Sequence, residues 1–366
     1  MASYFSDNVI EPVIIVDVLR DHGEKGERVT KRLCSNSEQV EWAVKETHDQ
    51  DLHVRFISIC QRNSWRPLQI TQDMFEGIVK HHGLNQSAYE LSSCFYTRNL
   101  NREEAFCVPL SLARTGSSID ISYTMRYPEF KAHENRWTQR QTGIYHRFNE
   151  DTGQHFILLI SPLPNSLGHR KIEEQLLNFD QPFPMDDLWV HSVLFSNYLP
   201  PWRQYMAWLE NLLLPITNLS LVAEINRETR VKYDHLNTVY DLNNRLVQIP
   251  TLFHHSSDTL EGLLHCSGRS GNSTNPATQK LENCRRQAAS YSRTAAYLQQ
   301  RAQTTAELLF ETLSLRDQTV TKIQTETMTN MSRSAYCIAI MGLFYLPTTL
   351  VAVSLTLSLT RPATLL

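Results

Sequence analysis

The side chains of this chain that could do chemistry are its histidines, its carboxylates and a file of hydroxyls near the C-terminal end. Fourteen histidines include the pairs His81-His82 and His254-His255, but neighbours on a helix project about 100° apart and do not close on one ion. His133-Glu134 lacks the second histidine of a zinc-protease helix, and no G-x-S-x-G, P-loop or G-x-G-x-x-G sequence is present. The expectation is a protein that is not an enzyme and carries no resident cofactor. Trp202 and Trp208 flank Arg203 and read as packing residues, not a binding cage. Glu282, Glu307, Glu311, Asp317 and Glu326 fall in one helical stretch; Glu307 and Glu311 share a face at i, i+4, which reads as a solvated acidic face, so no metal ligand set is assigned.

The hydroxyls lie in "AYCIAIMGLFYLPTTLVAVSLTLSLT", Ala335 to Thr360, a run of 26 residues without a charge. At about 1.5 Å per residue it makes roughly 39 Å of helix, more than the ~30 Å of a hydrocarbon core. Its polar relief is Thr348, Thr349, Ser354, Thr356, Ser358 and Thr360, groups that lipid tolerates because they bond back to the helix or across to a neighbour. Pro347 sits mid-span and predicts a kink, its freed carbonyl satisfied by hydroxyls, water or adjacent helices. Arg316, Lys322 and Arg333 precede the run and Arg361 follows it, which places the N-terminal side in the cytosol. No other segment is long and uncharged enough to span, so the expectation is a single-pass protein of the lipid bilayer.

The elements upstream must carry the rest. Residues 1–162 alternate β-like runs ("VIEPVIIVDVL", "LHVRFISIC", "SIDISYTMRY", "QTGIYHRF", "HFILLISP") with helical ones at Ser37 to Thr47 and at "TQDMFEGIVKHH", where Thr71 is a plausible N-cap. This is an α/β or α+β cytosolic domain. Residues 163–266 turn helical, with a break at Pro200-Pro201; residues 267–279 read as a flexible Gly/Ser/Asn loop. Residues 280–334 form a long stalk helix, 335–360 the transmembrane helix and 361–366 a short tail. On the stalk, Leu281, Cys284, Ala288, Tyr291, Ala295, Leu298, Ala302, Thr305 and Leu309 recur as a heptad that slides by one through Leu313, Val320, Ile323, Thr327 and Met331. So small a stripe predicts close packing against another helix or subunit.

Composition excludes some partners. A net charge of −3 without a basic run leaves no footprint for nucleic acid. The N-terminus lacks the basic n-region of a secretory signal, and the seven cysteines (Cys34, Cys60, Cys94, Cys107, Cys266, Cys284 and Cys337) contain no C-x-x-C. That suits a reduced compartment, and the sequons at Asn218, Asn272 and Asn330 then read as chance matches.

A cytosolic α/β domain, a long stalk helix and a membrane helix continuous with it resemble the CorA-type magnesium transporter superfamily, and more narrowly the divergent fungal CorA-like proteins. The likeness is carried by Arg136-Trp137 with "QTGIYHRF" and "HFILLISP", by "WRQYMAWLE" at Trp202 to Glu210, and by "LFYLPTTLVAVSLTLSL" from Leu343 to Leu359. It covers roughly Arg136 to Leu359; the first 130 residues take no part. The resemblance implies a homo-oligomer, a pentamer in the family, whose first membrane helix lines a cation pore. Thr349, Thr356 and Thr360, on one face at heptad spacing, would then solvate a hydrated Mg²⁺ or other divalent cation. The family's Gly-Met-Asn signature and second span have no counterpart, since the corresponding place reads Ser358-Leu359-Thr360-Arg361-Pro362-Ala363 and the sequence stops at Leu366. The expectation is a form truncated after its first transmembrane helix. Function is accordingly a transporter or transporter subunit, or a degenerate form of one; the alternative is a tail-anchored interaction or scaffold protein without transport.

Overall fold

Alternating β-branched and aromatic residues build one seven-stranded sheet, and helices cover both its faces. The computed structural model describes residues 4–19, 28–46, 52–97, 105–177, 186–221, 231–269 and 275–359. In chain order the elements are β1 (Val13–Leu19), β2 (Arg28–Cys34), α1 (Ser37–Glu46), β3 (Leu52–Cys60), α2 (Gln72–His82), α3 (Ser87–Ser93), β4 (Ser111–Thr115), β5 (Ser118–Lys131), β6 (Arg136–Asn149), β7 (Gln154–Ser161), α4 (Leu167–Leu177), α5 (Trp189–Tyr198), α6 (Pro201–Leu221), α7 (Tyr233–Leu246), α8 (Ile249–Arg269) and α9 (Pro276–Leu359). The expected fold class, a mixed α/β domain with packed helices and a long C-terminal helix, is the one observed. Two compact units divide the chain, residues 1–214 with 240–303 and residues 215–239 with 304–366.

In the first unit the strand order is β2-β1-β3-β7-β6-β5-β4. Every pairing is antiparallel except β3 with β7. Pro128 sits inside β5 without harm because β4 pairs only as far as Ser122, so its missing N–H faces an unpaired edge. On one face, Val13, Ile15, Ile57, Ile59, Leu158 and Ile160 pack with Val40, Val44, Met74, Phe75 and Ile78 of α1 and α2. On the other, Tyr127 stacks on Tyr198 of α5 at 3.8 Å and Phe56 meets His169 of α4 at 5.6 Å. Thr71 caps α2 as expected, its hydroxyl accepting from Met74 N at 3.3 Å, and Gly83 closes the helix at φ 56°, a conformation that favours glycine.

An ion pair lies inside this core. Arg55, wholly buried, gives Nε to Asp17 Oδ1 at 2.8 Å and Nη2 to Oδ2 at 3.1 Å, while Nη1 donates to the Val44 carbonyl at 3.2 Å. Asp17, also buried, takes a further bond from Arg32 at 2.9 Å.

Residues 163–266, expected as the helical part of the cytosolic domain, include α4 and α5, which pack on the sheet. The loop expected over 267–279 is shorter: α8 continues to Arg269 and α9 starts at Pro276, the first-turn position where a proline's missing N–H costs nothing. Residues 270–274 of that loop lie outside the described residues, as do the tail 361–366 and Thr47. The stalk and apolar segments are one helix with no break at 334/335, the continuity that was expected. Within the first unit the alanine-rich stripe of α9 faces the unit's own helices. Leu281, Cys284, Ala288, Ala295, Leu298 and Ala302 are buried there, and Tyr291 meets Phe253 of α8 at 5.7 Å.

Candidate functional site

In the second unit, α9 changes from a packed helix to a bare one. Thr305, Ala306, Leu309 and Leu313 are buried; the Thr305 hydroxyl pairs with that of Thr217 at 3.0 Å. The Tyr233 hydroxyl donates to Asp317 Oδ2 at 2.5 Å, and Arg316 donates to the Val231 carbonyl at 3.4 Å. Beyond Leu313 burial stops, and Val320, Ile323 and Met331, the slid continuation of the heptad, are exposed. From Ala335 to Ser358 every residue but Gly342 is exposed. An 18-residue window here reaches a mean hydropathy of 2.0 with none of it buried, making this, among the described residues, the one helix long and apolar enough to cross a membrane. A helix that is apolar on all sides is covered by lipid or by other helices, not by water.

The hydroxyls on this segment bond inward. Thr349 Oγ1 donates to the Leu346 carbonyl at 2.9 Å; Thr356 Oγ1 lies 3.1 and 2.9 Å from the Ala352 and Val353 carbonyls. Seven residues apart, the two stand within about 20° of each other around the axis. A hydroxyl that donates backward still turns oxygen lone pairs outward, where they accept hydrogen bonds. Thr360, expected on the same face, lies outside the described residues. Pro347 is interior to α9, which continues through it as helix.

The other residues considered for chemistry do not converge. Glu282 bonds Arg285 at 2.8 Å and Arg286 at 3.1 Å, and these, Arg285 foremost, pull its carboxyl down to about 2. Asp317 is held below the ordinary carboxylate range by the Tyr233 hydroxyl and then by Arg316. Among the described residues no three His, Cys, Asp or Glu side chains could hold a metal ion. His82 is pushed down to about 2 by burial and by nearby Arg55, while His255 turns to the Thr124 carbonyl at 2.9 Å. Trp202 is core, 5.1 Å from Phe253; Trp208 is half-buried and stacks on Tyr205 at 6.0 Å.

Sequence reasoning missed one polar network. Tyr123 OH, His191 Nδ1, His191 Nε2, His146 Nδ1, His146 Nε2 and His155 Nδ1 form a chain with three links of 3.0 Å each, wholly inside the first unit. Each central imidazole gives one bond and accepts one, so the chain is satisfied with neutral rings, and burial pushes His191 down to about 3. It ties β5, β6, β7 and α5 together. Its signal lay in two of the quoted strands, but pairing His146 diagonally with His155 requires the β6–β7 register.

The architecture is therefore that of a mixed α/β domain whose chain also carries one membrane-length apolar helix. Residues 2–221 match the CorA-like family, described as CorA-like transporters, and the chain belongs to that family. The match includes the first 130 residues, where the sequence had carried no likeness, and stops short of the "LFYLPTT" run. The soluble domain of CorA from Methanocaldococcus jannaschii is similar with 14% identity and a TM-score of 0.46, over 84% of this chain and 97% of that one. The full-length CmaX protein is similar with 14% identity and a TM-score of 0.49, over 94% and 86%. The ZntB cytoplasmic domain from Vibrio parahaemolyticus RIMD 2210633 is similar with 9% identity and a TM-score of 0.41, over 84% and 99%. No curated protein matches the chain.

Proposed function

We propose that this chain is a subunit of a membrane transporter for Mg²⁺ or another divalent cation, with its α/β domain in the cytosol and the Ala335 to Thr360 segment in the bilayer. The observation that carries the reading is a fully exposed apolar helix, with a hydroxyl face, in a CorA-like chain. One helix cannot enclose a path for a hydrated ion, so the reading requires a homo-oligomer, and a pentamer follows the family resemblance. Thr349 and Thr356, with Thr360, would line the path. Mg²⁺ gives up its waters reluctantly; those waters are donors, and outward lone pairs on a ring of threonines are the acceptors they need.

A second reading, a single-pass anchored scaffold, is favoured by the threonine bonds themselves, since hydroxyls returned to their own helix are what lipid-facing threonines also do. Purified full-length protein in liposomes separates the two. The transport reading expects Mg²⁺ uptake reported by an entrapped indicator, a ring-sized mass in detergent, and slower uptake for Thr349→Val with Thr356→Val at unchanged insertion. Inserted protein that passes no Mg²⁺, Co²⁺, Ni²⁺ or Zn²⁺ establishes the scaffold reading.

A further inference from the structure

The hairpin of β5 and β6 ends in a cavity of about 570 Å³ that the cation path does not use, a volume typical of small-molecule sites. All its lining residues belong to the first unit. Although the chain is net negative, Arg126, Lys131, Arg136, Arg140 and Arg245 line the cavity against one lining acid, Glu129. At the hairpin tip one carboxylate, Glu134, serves two cations, Lys131 at 3.0 Å and Arg136, and meets the His133 ring at 3.1 Å. Arg140 is held more firmly. It is 6% exposed, with Nε on Glu129 Oε2 at 2.8 Å and Nη1 on Ser64 Oγ at 2.5 Å.

Two further features restrict what fits. Trp65 and Phe130, both in the lining, are 40% and 45% exposed, so flat apolar surfaces stand open beside the cations. Gln139, also in the wall, is 9% exposed; its Nε2 and Oε1 have no hydrogen-bond partner and are closed off from solvent, so a ligand reaches them only if the side chain turns into the cavity. A buried carboxamide left unbonded is unfavourable and uncommon, and calls for an explanation outside the chain's own contacts.

We infer that this cavity binds a nucleoside phosphate: the guanidinium and ammonium groups take the phosphate, Trp65 and Phe130 stack on the base, and the Gln139 carboxamide turns out of its closed position to meet the base edge. Arginine is suited to phosphate by its planar, always-charged fork. Aromatic faces hold any base by stacking, and a carboxamide supplies both the donor and the acceptor that a base edge presents. Free inorganic phosphate shares the anionic chemistry but uses neither the rings nor the carboxamide.

The test is isothermal titration of the full-length chain in detergent with ATP, AMP, adenosine and inorganic phosphate. EDTA is present throughout, so that cation binding and transport do not enter. ATP is expected to bind about ten-fold or more tightly than adenosine or phosphate, and Trp65→Ala to weaken ATP by a similar factor while leaving phosphate unchanged. Gln139→Leu is expected to weaken ATP yet keep or raise the melting temperature of the ligand-free protein, because it removes an unbonded polar group. That combination separates a ligand contact from a structural one. No heat with millimolar ATP, phosphate binding as tightly as ATP, affinity unchanged in both variants, or a lower ligand-free melting temperature for Gln139→Leu each overturns the assignment.

Discussion

Two arginines in the apolar segment should remove this protein from its membrane. Between Ala335 and Leu359 stand eleven Leu, Ile, Val or Phe residues, and α9 exposes the described side chains among them, so none is held by a protein core. At about 0.3–0.6 kcal/mol each, they favour insertion by roughly 3–7 kcal/mol. Leu346→Arg forfeits one of these and adds about 2.5–3.5 kcal/mol near mid-span, bringing insertion close to balance. Leu346→Arg with Leu350→Arg costs roughly 6–8 kcal/mol and exceeds what the remaining residues supply. The assay is alkaline carbonate extraction of membranes expressing each form. Wild type stays in the pellet, the single variant divides between fractions, and the double variant is released like a deletion of Ala335 to Leu366. A double variant that resists extraction refutes the reasoning, as does wild type that is extracted.

Asp17→Asn leaves the buried Arg55 charge without its carboxylate and should cost about 3–5 kcal/mol, read as a lower denaturant midpoint; the double change to Asp17→Leu with Arg55→Met should recover much of the loss, and an unshifted midpoint for Asp17→Asn would contradict the burial. Stability should fall on acidification: His82 titrates at about 2, His191 at about 3 and His146 well below its ordinary value when folded, so below pH ~6.5 the unfolded chain takes up protons that the native one does not. Each contributes about 1.4 kcal/mol per pH unit, present above pH ~6.5 and lost as pH falls toward the folded values. His82→Gln should flatten the dependence by that amount between pH 6 and 5, and a wild-type melting temperature constant over that range would refute it. In a eukaryotic secretory membrane, Asn85, Asn218, Asn272 and Asn330, all in N-x-S/T sequences on the N-terminal side of the span, should remain unglycosylated; an endoglycosidase-sensitive mass at any of them reverses the orientation.

Elements held by local chemistry were readable in advance. The Thr71 cap, the break at Pro200-Pro201 and the β-branched strands each depend on spacing within a single element or at its end. What needed register or distance was not: "RVTKRLC" is too polar to announce β2, "SAYELSS" too short and polar to announce α3, and the strand order has no local signature. The heptad on α9 was visible, but whether it met a partner or its own domain depended on α8, whose Phe253 meets Tyr291. The histidine chain and the basic cavity were hidden for the same reason. Their members stand on elements far apart in sequence, and only the folded sheet assembles them.

The parallel pairing of β3 with β7, the one such pairing among the described strands, sets a schedule for synthesis. β1, β2 and β3 can pair as soon as Cys60 has emerged, and β4 to β7 form a consecutive meander. The two ribbons meet only at this seam, and β7 begins at Gln154. At about 5–20 residues per second, the ribosome delivers that partner roughly 5–20 seconds after β3 is complete. Throughout that interval "LHVRFISIC", which is buried along nearly its whole length in the finished domain, presents an open apolar edge. Until Gln154 emerges, that edge is open to pairing with another chain.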